Sequence, residues 1–290
     1  MTESYFLFGA GYSARAFARR MAGKAKIAGT TRAQENFGLL REAGIIPCLF
    51  DGTHVGDDLA ARLAETTNLV LSAAPGDRGD PVLCAARPLL MKGMPALQWV
   101  GYLSTVGVYG YHGGAWVDEE SECRPTSKRS RQRVEAERAW LDFGRERTLP
   151  VAILRLAGIY GPGRNAFLNL ERGTARRIVK PGQYFNRIHV EDIAGSLEFL
   201  ASRRMGGIFN ITDDEPAPAP DVVAFAAKLM GVEPPPEIPF EQAEMTPMAR
   251  SFYGDNKKVS NRKIKEAGYR FAYPDYRAAF TRMWNEQSWR

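Results

Sequence analysis

With 290 residues, 44% of them hydrophobic and 25% charged, the chain has room for one large α/β domain, or for a domain and a smaller lobe, around a substantial core. No apolar run approaches the ~18 residues needed to cross a bilayer. The start, Met1-Thr2-Glu3-Ser4, leads into a strand pattern with neither the basic nor the apolar segment of a signal peptide, so the cytoplasm is the expected location and no membrane partner is expected.

The net charge of +6 comes largely from runs at Arg124–Arg133, Arg172–Lys180 and Lys257–Lys265. These lack interleaved aromatics or a recognised module, which argues against nucleic acid. They read as solvated helix faces, with an anionic ligand held by arginine forks as the alternative. Cys48, Cys84 and Cys123 show no metal-ligand spacing, and an odd count without a framework fits free thiols in a reducing compartment. His54, His112 and His189 are equally isolated, so no metal is expected.

The first element is the most informative. Tyr5–Phe8 reads as a buried parallel strand, Gly9-Ala10-Gly11 as a tight turn, and the residues from Tyr12 as a helix with Phe17 and Met21 on one face. Strand, Gly-x-Gly turn and helix in that order form a dinucleotide-binding fingerprint. Gly9 permits the turn, Gly11 lets backbone N–H groups approach a pyrophosphate at the positive helix end, and Ala14 replaces the third glycine. A second strand over Ala25–Arg32 ends in Thr30, Thr31 and Arg32. At the tip that meets the adenosine ribose, an acid favours NAD and an arginine accommodates the 2′-phosphate of NADP. NADP(H) is therefore favoured over NAD(H).

A third strand, Ile45–Phe50, ends at Asp51. Asp57–Glu65 is a short helix, and a fourth strand from Asn68 runs into the small residues Ser72, Ala73, Ala74 and Pro75, which leave room for a ligand over the sheet edge. Asp80–Lys92 is helical, and a fifth strand, Gln98–Thr105, ends in Ser104 and Thr105. Strands alternating with helices at this spacing predict a doubly wound parallel α/β sheet. A charged helix over Ser130–Glu146 turns Val134, Ala136 and Trp140 inward. A sixth strand, Pro150–Leu156, precedes a glycine-rich loop at Gly158–Arg164. The chain then leaves the sheet, returns in a strand from Asn186 that hands over to a helix capped by Glu191 or Asp192, and forms a further strand at Gly207–Thr212. Proline-rich connections follow, and Tyr269–Arg290 forms an aromatic terminal helix.

Four segments together carry a resemblance: Gly9–Gly11, Leu103–Gly110, Leu154–Arg164 and Arg187–Ala194. In this order and at these separations they resemble the extended short-chain dehydrogenase/reductase superfamily, in its NAD-dependent epimerase/dehydratase-like branch, over the first three quarters of the chain. The resemblance implies a Rossmann domain (1–163 with 187–212) and a small carboxyl-terminal substrate lobe (164–186 with 213–290). Expected cofactor contacts are Gly9, Ala10, Gly11, Tyr12 and Ser13 in the first turn, Thr31 and Arg32, Asp51, Ser72, Ala73 and Ala74, with Arg133 on the long helix. It further implies that Thr105, with Ser104 beside it, polarises a substrate oxygen, as a hydroxyl at the carboxyl edge of a sheet can do.

One feature departs from the family. Its acid/base pair is a tyrosine followed four positions later by a lysine, and here those positions hold Arg129 and Arg133. There is no tyrosine between Tyr111 and Tyr160. Arginine stays protonated and cannot shuttle a proton at neutral pH. Two readings stay open: an oxidoreductase or epimerase-like enzyme on a small carbonyl or hydroxyl compound, with acid/base help from Tyr109, Tyr160, Tyr184 or the substrate, or a non-catalytic dinucleotide-binding redox sensor. A homodimer through two Rossmann helices is a further option.

Overall fold

The computed structural model describes residues 3–290; Met1 and Thr2, counted above with the first domain, lie outside the described residues. In chain order the main elements begin with β1 (Ser4–Phe8), α1 (Tyr12–Arg20), β2 (Lys26–Thr31), α2 (Phe37–Glu42), β3 (Ile46–Leu49), α3 (Asp57–Ala64), β4 (Asn68–Leu71), α4 (Pro81–Lys92) and β5 (Trp99–Thr105). They continue with β6 (Trp116–Val117), α5 (Lys128–Arg147), β7 (Val151–Leu156), β8 (Gly158–Tyr160), α6 (Ala166–Glu171), β9 (Arg177–Val179), β10 (Arg187–His189), α7 (Val190–Ser202) and β11 (Gly207–Ile211). The last are α8 (Ala219–Met230), β12 (Glu237–Pro239), α9 (Pro247–Ser251), β13 (Lys258–Val259), α10 (Arg262–Glu266) and α11 (Tyr276–Asn285).

Seven strands form one parallel sheet in the order β11-β7-β5-β4-β1-β2-β3. From β1 the chain crosses to β2 on one side and later to β4 on the other, which leaves a crevice at the carboxyl ends of β1 and β4. The apolar run of β1 serves both faces, as strand alternation requires. The Tyr5 ring meets Phe17 of α1 edge-on at 5.1 Å. Phe6 and Phe8 belong to the opposite cluster, with Leu69, Leu71, Val100, Tyr102, Trp140 and Phe143. Each fully buried large side chain contributes roughly 1.5–3 kcal/mol of apolar burial. Asp80 starts α4 by accepting from the backbone N–H of Val82 and Leu83 at 2.9 and 3.1 Å, with Pro81 in the first turn where its missing donor is harmless.

The chain divides into two compact units. The first comprises the chain up to Thr105, Lys128–Arg155 and Ile193–Phe209; the second comprises Val106–Ser127, Leu156–Asp192 and Asn210–Arg290. The second unit carries three short parallel pairs, β8 with β10, β9 with β12, and β6 with β13. Its main core gathers Tyr160, Phe167, Tyr276, Phe280, Met283 and Trp289.

Three expectations change. On α5, Ala136 and Trp140 are buried, but Val134 is half-buried and Glu137 is the side chain turned inward. The 3.6-residue period groups 133, 136, 137 and 140 on one face, and a buried ion pair described below makes an acid tolerable there. Neither Glu191 nor Asp192 caps α7, which already begins at Val190. Asp192 is instead a tether, wholly buried. Its carboxylate accepts from the Tyr269 hydroxyl (3.0 Å) and from the backbone N–H of Ala272 (2.8 Å) and Tyr273 (2.9 Å). That fixes the irregular segment before α11, so the terminal helix spans Tyr276–Asn285 rather than the whole tail.

Candidate functional site

A cavity of about 540 Å³ opens at the carboxyl edge of the sheet in the first unit. It brings together Gly9, Ala10 and Gly11 after β1, Thr31 and Arg32 at the end of β2, Asp51 beyond β3, and Ser72, Ala73 and Ala74 after β4. Of the expected cofactor contacts, Tyr12, Ser13 and Arg133 are not among its lining residues, nor are Ser104 and Thr105.

The two glycines of the first turn do different work. Gly9 has φ +88°, and a Cβ there would lie 3.0 Å from the Ala73 nitrogen and 3.2 Å from the Ser72 carbonyl carbon. Only glycine lets the ends of β1 and β4 close in this way. Gly11 stands before α1, and a Cβ on it meets nothing within 4 Å. Gly11 is exposed and lines the cavity. Among the described residues no side chain caps the start of α1, which leaves the positive helix end without a side-chain acceptor. Thr30 locks the turn, its hydroxyl accepting from Gly9 N at 2.9 Å and its carbonyl from Ala10 N at 2.8 Å.

Two arginines also line the cavity, Arg32 exposed and Arg15 half-buried. Neither guanidinium has a hydrogen-bond or ionic partner among the described residues. Asn36 donates to the Thr31 hydroxyl at 3.3 Å. The one acid among the lining residues is Asp51, whose carboxylate is occupied by the Thr53 N–H (2.8 Å) and hydroxyl (2.6 Å). The Thr53 hydroxyl and backbone hold its pKa below the usual carboxylate value. Leu39, Leu40 and Phe50 add an apolar wall. A phosphate-rich ligand with a flat apolar moiety suits this donor set.

The end of β5 carries a second polar arrangement. Ser104 donates to Glu137 of α5, and Arg155 of β7 grips the same carboxylate, its NH2 at 2.8 Å and its Nε at 3.2 Å from Oε2. One helical turn earlier, Arg133 donates to the Leu103 carbonyl at 2.8 Å and to the Tyr102 hydroxyl at 3.0 Å, and lies 5.6 Å over the Tyr102 ring. Thr105 is half-buried, and Arg129 is exposed near the start of α5. In the second unit, Tyr109 is fully buried and donates to Asn210 at 2.8 Å. The Tyr160 hydroxyl is buried with no hydrogen bond among the described residues, and burial drives its pKa well above the ordinary phenol value, the reverse of what a base needs. The Tyr184 ring lies 4.9 Å under the Lys258 ammonium.

Sequence reasoning missed Arg15, Asn36, Glu137 and Arg155. Arg15 had a usable signal, since it follows Gly11 by one helical turn and so faces the same way. The acid–arginine pair had none, because Glu137 sits among exposed charges.

Comparison with known proteins follows the same direction. No family model matches the chain. Protein YeeZ of Escherichia coli strain K12 is 31% identical over 229 residues, 76% of each chain. The solved structure of a conserved protein of unknown function from Silicibacter pomeroyi DSS matches with 44% identity, 99% coverage of both chains and a TM-score of 0.89. That of a putative NAD-dependent epimerase/dehydratase from Methylobacillus flagellatus matches with 25% identity, 99% coverage of both and a TM-score of 0.73. The chain belongs to the extended short-chain dehydrogenase/reductase superfamily, in its epimerase/dehydratase-like branch.

Proposed function

We propose that the chain binds NADP(H) in the cavity at the ends of β1, β2 and β4 and acts as an oxidoreductase or epimerase/dehydratase-like protein on a small carbonyl or hydroxyl compound. The observation that carries the reading is the open space at Gly11 before the uncapped α1, with the unpartnered Arg15 and Arg32 in the same cavity. Gly9, Ala10 and Gly11 would cradle the pyrophosphate, Arg32 with Arg15 the 2′-phosphate, and Ser72, Ala73 and Ala74 would give clearance over the sheet edge. A bound nicotinamide dinucleotide supplies or accepts a hydride. Thr105 polarises the substrate oxygen, and the second unit selects the substrate, an anionic one included. The proton comes from a group other than Arg129 or Arg133, since both stay charged.

A second reading, a non-catalytic redox sensor, draws support from Arg133, whose guanidinium is engaged by β5. Tight NADPH binding that changes association with a partner, without turnover across a broad panel of carbonyls and alcohols, would select it. For the cofactor, Arg32→Glu should weaken NADPH binding far more than NADH binding. Equal loss for both refutes the NADP(H) assignment.

A further inference from the structure

The ion pair between Glu137 and Arg155 determines what Ser104 can do. Ser104, Glu137 and Arg155 are 5%, 3% and 4% exposed, so solvent does not exchange partners with them. Arg155 approaches the carboxylate along its edge, with NH2 at 2.8 Å and Nε at 3.2 Å from Oε2, and Nε at 3.3 Å from Oε1. A carboxylate in a guanidinium fork is the ionised partner and an acceptor only. The proton shared with Oε1 must therefore be that of Ser104, and a serine hydroxyl has one proton. Towards any other neighbour, Ser104 then offers lone pairs alone. Strand alternation places Ser104 with Tyr102 on the face that meets Glu137 and Arg133, and Thr105 on the opposite one.

We propose that Glu137, fixed by Arg155, is a positioning residue that takes up the Ser104 proton, so that Ser104 is an acceptor-only group and donation to a developing oxyanion at the end of β5 falls to Thr105. The statement about Ser104 rests on the geometry of three buried side chains; the statement about Thr105 rests on the catalytic reading given above. The arrangement has a reversible polarity. In Glu137→Gln the amide oxygen turns to Arg155, which has donors only, and the amide N–H turns to Ser104. Ser104 must then accept, and its own proton swings outward.

Neutron diffraction from crystals of the full chain exchanged into D2O tests the first statement directly. The expected map shows the Ser104 deuteron on the line to Glu137 Oε1 in the wild type and pointing away from residue 137 in Glu137→Gln. A wild-type deuteron bound to Glu137, or a Ser104 deuteron turned away from it, overturns the proposal. NADPH-dependent reduction of the 1,2-dicarbonyl probe 9,10-phenanthrenequinone tests the second statement. Thr105→Ala should lose about 100-fold in kcat, the order expected for one oxyanion donor, and Thr105→Ser, which keeps the hydroxyl, should recover most of that loss. A Thr105→Ala chain within about threefold of the wild type, or a Thr105→Ser chain as slow as Thr105→Ala, overturns the assignment of donation to Thr105. Absence of turnover in the wild type, with this quinone and across a broad panel of carbonyls and alcohols, refutes the oxidoreductase reading and the Thr105 assignment with it, while the deuteron positions still decide the role of Glu137.

Discussion

Replacing Glu137 by leucine is the sharpest stability test of the β5–α5–β7 junction. The substitution leaves the Arg155 guanidinium 4% exposed beside an apolar group, with its 2.8 and 3.2 Å bonds to Oε2 gone and the Ser104 hydroxyl unpaired. Removing one partner of a buried ion pair costs about 3–5 kcal/mol, because the survivor stays desolvated after losing its counter-charge. At about 2 °C per kcal/mol for a chain of this size, the melting temperature should fall by about 6–10 °C. The pair itself contributes far less than that, since desolvation offsets most of the attraction. Glu137→Leu combined with Arg155→Leu should therefore recover most of the loss, and the coupling energy between the two sites should exceed about 2 kcal/mol. Differential scanning calorimetry of the wild type, both single variants and the double variant measures all four corners. A double variant that melts at the additive sum of the singles, or a Glu137→Leu chain as stable as the wild type, refutes the reasoning.

Two further predictions concern the second unit. Asp192→Ala orphans two donors, the N–H groups of Ala272 and Tyr273, while the Tyr269 hydroxyl keeps the residue-192 carbonyl at 3.1 Å; at about 1 kcal/mol or more per buried unmet donor the loss should reach about 2 kcal/mol, read as a thermal shift together with faster amide exchange at residues 272 and 273. His189 is 1% exposed and stacked on Tyr273 at 3.7 Å, and burial, reinforced by the Arg282 charge, pushes its pKa down to about 4. The unfolded chain binds the proton below its pKa of about 6.5 whereas the folded chain refuses it until about 4, so stability should fall as pH drops through that window, by roughly 3 kcal/mol in all. Comparing acid unfolding of wild type and His189→Phe isolates this contribution; an acid limb of unchanged depth in the variant would exclude it.

The parts of the site that were legible in the sequence are those set by consecutive residues. The first turn, the strand ends at Arg32 and Asp51, and the small residues at Ser72–Ala74 all lie at carboxyl ends of strands, and a parallel sheet brings those ends to one edge. Asn36 escaped because its position depends on how the loop after β2 folds back onto Thr31. Asp192 looked like a helix cap by local spacing, but its three donors come from residues 77–81 positions away. Glu137 and Arg155 are 18 residues apart, and an acid in a helix of alternating charges carries no local sign of burial. Val134 was placed inward by its apolar character, yet the ion pair draws the adjacent face of α5 onto the sheet.

The central claim is that a nicotinamide dinucleotide occupies the cavity before α1. Fluorescence titration of NADPH against the wild type and Gly11→Val, with thermal stability measured alongside, tests it most directly. Beyond its two chain neighbours, no described residue comes within 4 Å of a Cβ at Gly11, so the variant should fold as the wild type does while its side chain fills the space the pyrophosphate needs. Saturable binding by the wild type and its loss in a folded Gly11→Val chain is the predicted result; equal affinity in both, or no binding by the wild type, contradicts the claim.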